Sequence, residues 1–188
     1  MDKMWAPWRM EYIKSIKQEG CIFCDKPQNK TDREDLLLYR GESCCILMNL
    51  YPYNNGHIMI APYEHTHLME SLPASTLTEI MQLAQESMKI LREEFRAEGF
   101  NLGLNEGAIA GAGIAEHIHF HIVPRWAGDT NFMPVTGHAK VLVQGLKESY
   151  DVLKPHFEKV LWLEIYEINW LKVKSIGEQI KSAEFPSR

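Results

Sequence analysis

Residues 117–123 read His117-Ile118-His119-Phe120-His121-Ile122-Val123. Three imidazoles at every second position, separated by large apolar side chains, follow the two-residue period of a β-strand. That period puts the three rings on one face and sends Ile118, Phe120 and Ile122 into a core on the other. A neutral imidazole is a good nucleophile near pH 7. It can attack phosphorus and split one difficult displacement into two easier ones. Such a ring needs an acceptor on its other nitrogen and donors around the phosphate. The middle residue, His119, is the natural nucleophile, and His121, two places along the same face, a natural donor. Alternating histidines on a strand also ligate zinc, so a metal site is the competing reading of the same three residues.

The segment before the triplet, Asn105-Glu106-Gly107-Ala108-Ile109-Ala110-Gly111-Ala112-Gly113, is rich in small residues. Loops of this kind expose backbone amides that cradle phosphate oxygens. His57 follows the turn-forming run Asn54-Asn55-Gly56; it reads as a turn histidine or as a second group reaching a phosphate from a neighbouring strand. Cys21-Ile22-Phe23-Cys24 is half of a zinc site, for which His65, His67 or His117 are the available completing ligands, or else a pair of inert thiols. Cys44-Cys45 falls in an apolar run and reads as packing. His138 and His156 have no chemical context and read as surface.

The elements that must position these groups follow from the pattern. Leu36–Tyr39, Ser43–Leu50, His57–Ala61, Phe100–Leu104 and the histidine segment ending at Pro124 read as strands, and residues 25–35 as a polar loop. A long helix is predicted from Thr76 to Glu98, with Thr76 and Glu79 as a capping box and Gly99 as its stop. Its apolar face would be Leu77, Met81, Ala84, Met88, Leu91 and Phe95. A second helix is predicted over 138–158, kinked or ended by Pro155. The aromatic arm over residues 1–17 (Trp5, Trp8, Tyr12) is expected to pack on the domain or on a second subunit. The fold class is α+β, a mainly antiparallel sheet with a long helix.

The chain has 188 residues, 45% of them hydrophobic, and a net charge of -5. This suits one domain, and it leaves no electrostatic footprint for a nucleic-acid polymer. No stretch approaches the roughly 20 apolar residues that span a bilayer, so the expected location is cytoplasmic, away from membranes.

Taken together, these residues resemble the histidine triad family of nucleotide hydrolases and transferases, whose motif His-φ-His-φ-His-φ-φ (φ apolar) is matched throughout 117–123. Asn54–Pro62 followed by His65 resembles the family's upstream hairpin. Trp5–Tyr12 and Pro124–Phe132 resemble the bacterial branch related to diadenosine tetraphosphate phosphorylases. The resemblance implies a homodimer whose antiparallel sheet runs through both subunits, and a nucleotidyl–histidine intermediate on His119. It implies that Asn105 and Gly111, Ala112 and Gly113 hold phosphate oxygens, that His121 donates to the bound phosphate, and that His57 lies near the α-phosphate or the leaving group. Asn49 stands where the family places an acidic ribose-binding residue, with Leu47 and Leu50 near the base. Gly113 and Ile114 stand where many members carry a serine, which leaves that contact to backbone amides. Related uridylyltransferases imply a structural zinc on Cys21, Cys24, His65 and His117.

The expected activity is cleavage of an adenine dinucleoside polyphosphate by double displacement, with inorganic phosphate or water as acceptor. The long N-terminal arm and Pro124–Phe132 favour phosphorolysis. The alternatives are a nucleotide phosphoramidase of the same family and a non-catalytic nucleotide- or metal-binding protein. Residues 1–155 are expected to form the catalytic domain and 156–188 an extension packed on it or on a partner subunit.

Overall fold

The structure is a computed structural model that describes residues 20–129, 142 and 144–159. The expectations for the aromatic arm, for His138 and for the chain beyond residue 159 lie outside these residues. Five strands form one antiparallel sheet: β1 (Leu37–Arg40), β2 (Cys44–Met48), β3 (Ile58–Pro62), β4 (Gly99–Leu104) and β5 (Phe120–Arg125), in the spatial order β1-β2-β3-β5-β4. The α+β class with an antiparallel sheet is therefore observed. Every residue of β2 and β3 is buried, as expected of central strands covered on both faces. On one face lies the long helix; on the other a compact cluster of Phe23, Leu37, Cys45, Leu47, Met59 and Ala61, flanked by Cys21, Ile22 and Ile114.

Among the described residues four α-helices accompany the sheet: α1 (Ile22–Asp25), α2 (Asp32–Asp35), α3 (Ala74–Phe95) and α4 (Leu146–Glu158). The region 25–35, expected to be loop, thus carries short helical turns. α3 begins two residues earlier than its composition suggests, with Pro73 at the cap and no side-chain capping bond. Glu79 is not a cap. Its carboxylate is buried and accepts the amides of Glu42 and Ser43 at 2.9 and 2.8 Å, closing the β1–β2 turn. α3 stops at Arg96 in a left-handed conformation, and Gly99 opens β4 instead. Its buried stripe is Thr76, Glu79, Ile80, Leu83, Ala84, Ser87, Ile90 and Leu91. The stripe is thus rotated from the predicted one, and Met81 is exposed. The buried and the predicted stripes share Ala84 and Leu91.

α4 passes through Pro155 without ending and buries Phe157. α4 lies whole within one compact unit, which ends at Glu158. The proline costs one hydrogen bond in the last turns, where few helical bonds remain to be lost. Tyr150 Oη donates to the Leu37 carbonyl at 3.2 Å, docking α4 on β1. Gly56, at φ +69°, makes the turn into β3 where a Cβ would come within 2.8 Å of the Phe95 ring. This turn is what delivers His57 to the sheet.

Candidate active site

The histidine segment is only half strand. β5 starts at Phe120, so His117 and His119 lie in the extended lead-in and His121 lies within the ladder, paired with Met59 of β3 and Gly103 of β4. The lead-in is held by other means: Ile118 N–H donates to the Thr66 carbonyl at 2.7 Å. Ile118, Phe120 and Ile122 are buried as expected, but so are two of the rings, with His117 at 0% and His119 at 3% exposure. The histidine face is roofed, not open. Its cover is Phe23, whose centroid lies 4.7 Å from that of His119 and 5.2 Å from that of His117.

Each of the three rings has a different occupation. His119 Nδ1 lies 2.8 Å from the His117 carbonyl. A carbonyl only accepts, so Nδ1 carries the proton and the lone pair is on Nε2. Burial lowers the His119 pKa below the usual imidazole range, against the opposing effect of that carbonyl. The ring is thereby neutral at pH 7 and nucleophilic at one defined atom.

His121 is set by a relay. The Tyr53 amide donates to His57 Nδ1 at 3.0 Å, and His57 Nε2 lies 3.0 Å from His121 Nδ1. A backbone N–H cannot accept, so His57 is protonated on Nε2 and donates to His121 Nδ1. The proton of neutral His121 then sits on Nε2. Burial, reinforced by His121 and His119, pushes the His57 pKa down to about 3, which keeps this donor uncharged. Tyr53 stacks on His57 with centroids 4.8 Å apart and planes at 30°. His57 itself is wholly buried. Its ring meets the rest of the cluster through His121, to which Nε2 donates.

His117 faces the other way. Its Nδ1 lies 3.2 Å from Cys21 Sγ, 3.6 Å from Cys24 Sγ and 3.2 Å from His65 Nδ1, while Cys24 Sγ and His65 Nδ1 are 3.3 Å apart. All four donor atoms fall within 4.8 Å of one another. A tetrahedral zinc, with Zn–S near 2.3 Å and Zn–N near 2.0 Å, sets ligand separations of roughly 3.3–3.8 Å, so the donor set fits such an ion. His117 Nε2 donates to the Pro62 carbonyl at 2.9 Å, the outer bond that leaves Nδ1 free to ligate. Burial and the adjacent Cys21 push the Cys24 thiol up to about 11. His67 is exposed and outside the cluster, and Cys44 and Cys45 are buried.

The remaining candidates are less convergent. Asn49 follows β2; its Oδ1 accepts the Tyr51 amide at 2.9 Å and its Nδ2 lies 3.4 Å from His57 Nδ1. Leu50 is 54% exposed, whereas Leu47 is sealed in the cluster under β2. Asn105 is half-buried at the end of β4. The loop beyond it forms a tight turn, with Gly107 and Gly111 at φ +79° and +91° and Ala112 N–H closing on the Gly107 carbonyl. Ala112 is half-buried, and Gly111 and Gly113 are exposed. Sequence reasoning missed Phe23, the Tyr53 amide and the Pro62 and Thr66 carbonyls. An aromatic inside a Cys-x-x-Cys was a readable signal for the first; the backbone groups left none.

A chain with this sheet, this triplet and this roofed middle imidazole belongs to the HIT domain family, whose model matches residues 30–128. It is 36% identical to the AP-4-A phosphorylase of Mycobacterium tuberculosis over 81% of this chain and 83% of that protein. It is 28% identical to the asymmetrical bis(5'-nucleosyl)-tetraphosphatase of Schizosaccharomyces pombe, over half of each chain. Among solved structures, a zinc-bound histidine triad family protein from Mycobacterium smegmatis has the same fold, with a TM-score of 0.58 at 24% identity over 75% of this chain and 95% of that one.

Proposed function

We propose that this protein is an enzyme that transfers a nucleotidyl group from an adenine dinucleoside polyphosphate through a covalent intermediate on His119. The observation that carries the reading is the His119 ring: neutral, tied at Nδ1 to its own backbone two residues back, with the lone pair at Nε2. His119 Nε2 forms a bond to the α-phosphorus, and the bond to the bridging oxygen breaks. The leaving nucleoside polyphosphate keeps that oxygen and its electron pair. His121 Nε2–H, aimed by His57, donates to a phosphate oxygen as charge develops. An acceptor oxygen then attacks phosphorus and frees the imidazole. With phosphate as acceptor the products from diadenosine tetraphosphate are ATP and ADP; with water they are ATP and AMP. The relationship to an AP-4-A phosphorylase over most of both chains supports phosphate.

In this reading Asn105, Gly111, Ala112 and Gly113 supply phosphate contacts, and Asn49 and Leu50 take the nucleoside. Leu47 supports that pocket from beneath. Zinc on Cys21, Cys24, His65 and His117 is structural, since four protein ligands leave no open position for water; bound there, it cross-links the chain's first described turn to the lead-in of β5. The exposed edge strand β4 supports pairing with a second copy to form a homodimer. No helix among the described residues is long and apolar enough to cross a membrane, which supports a cytosolic enzyme.

The test is incubation with diadenosine tetraphosphate, with and without inorganic phosphate, followed by intact-mass analysis. An AMP adduct on His119 and phosphate-dependent ADP are expected. Turnover by His119→Gly, or direct in-line attack by solvent in an oxygen-isotope experiment, overturns the covalent route.

A further inference from the structure

In a neutral imidazole the attacking lone pair lies in the plane of the ring. Displacement at phosphorus needs that plane to contain the line from Nε2 to the α-phosphorus. The bond from Nδ1 to the His117 carbonyl fixes one atom of the His119 ring. It leaves the ring free to tilt about that bond, because an imidazole's χ2 is a broad torsion with no sharp wells of its own. Something else must hold the plane.

Two aromatic neighbours do so. The edge-on His121 ring stands 4.8 Å away at 76°, and Phe23 lies 4.7 Å away at 31°. His121 is itself fixed by the relay from Tyr53. Phe23 is fixed by nothing in its own helix. α1 is a single turn of four residues, and Cys21, at its cap position, makes no side-chain capping bond. A helix that short has no stability of its own. It is held at both ends by Cys21 and Cys24, whose thiols meet His65 and His117, and by Phe23 itself, at 0% exposure in the cluster under β2.

We infer that Phe23 is the positioning residue for the nucleophile, and that the Cys21–Cys24 knuckle sets the plane of the His119 ring through it. This rests on the covalent route proposed above. A metal at the knuckle then has a rate consequence although no step passes through it. The first and middle histidines of the triplet are coupled twice: by the His117 carbonyl on His119 Nδ1, and by one phenyl ring lying across both imidazoles.

The experiment uses the full-length, zinc-loaded protein and two substitutions that keep apolar bulk but remove the flat ring, Phe23→Leu and Phe23→Met. Zinc content, the His119 ring signals in proton–nitrogen NMR, and the rate of adduct formation on His119 are measured together. Both variants are expected to keep their zinc, lose the ring-current displacement of the His119 protons, and form the adduct at least about tenfold more slowly, with KM within about twofold. A folded, zinc-loaded variant with an unchanged adduct rate overturns the proposal. If neither variant folds, the unaltered protein decides. A nuclear Overhauser contact between the Phe23 and His119 rings is expected, weakening on chelation while the His57 and His121 signals persist. Its absence, or its indifference to chelation, overturns the proposal. If the unaltered protein never forms an adduct, the covalent route falls, whereas the NMR measurements still report whether Phe23 holds His119.

Discussion

The two ends of the histidine triplet are built on different principles. At the His121 end, positions are fixed by backbone: a strand ladder on both sides, an amide from Tyr53, and a turn pinned by Asn54, whose Nδ2 donates to the Pro124 carbonyl at 3.0 Å and to Asp129 at 2.8 Å. At the His117 end, four side chains from three separate segments meet with no strand pairing between them. The first end is organised by the fold. The second is organised by the convergence of two thiols and two imidazoles, a donor set suited to a metal ion. The position of His119, between them, depends on both, and with it the proposed catalytic geometry.

The sharpest way to break this comparison is to remove the residue both ends serve. His119→Gly is expected to lower turnover by at least about a thousandfold, measured by product release, with melting behaviour preserved. His57→Gln tests the backbone-built end. It removes the ring that sets the His121 tautomer, and a fall of about ten- to a hundredfold in kcat is expected, with zinc content unchanged by elemental analysis. Cys21→Ser tests the other end. It is expected to abolish stoichiometric zinc and to lower kcat by about tenfold through the loosened lead-in; zinc retained by this variant but lost on replacing His119 would support metal binding by the triplet itself.

The last expectation concerns the pH dependence of stability. His57 has a folded pKa of about 3 against an ordinary value of 6.5. Between those values the unfolded chain binds a proton that the folded chain refuses. Stability is therefore constant with respect to this group above about pH 6.5 and declines as pH falls from there toward 3. Denaturant titrations between pH 7 and 4 are expected to show a shallower slope for His57→Gln than for the unaltered protein. Equal slopes would mean that His57 is not buried as a neutral ring.

Much of this was legible in the amino acids. Alternating histidines and hydrophobics announced a shared face, and the sheet, the long helix and the members of the Cys/His cluster follow from local pattern together with family resemblance. What was not legible is instructive. The strand period extended back to His117, yet the ladder starts only at Phe120, because the Thr66 carbonyl, not a strand, receives the Ile118 amide. The helix stripe was misplaced because α3 buries polar Thr76, Glu79 and Ser87, which an apolar pattern passes over, and leaves Met81 exposed. Glu79 has the spacing of a cap but serves the β1–β2 turn. Partners supplied by distant main-chain atoms leave no mark in a side-chain pattern.

Gly103 sits directly across the ladder from His121, and a Cβ there would find no atom within 4 Å. The donor imidazole therefore occupies the penultimate row of the sheet, beside a border strand that presents no side chain toward it. A neighbour docking along that border would sit one rung from the reacting group and would change its solvation without touching it. If a second copy pairs there, as proposed above, assembly and turnover are coupled across the single intervening strand β4.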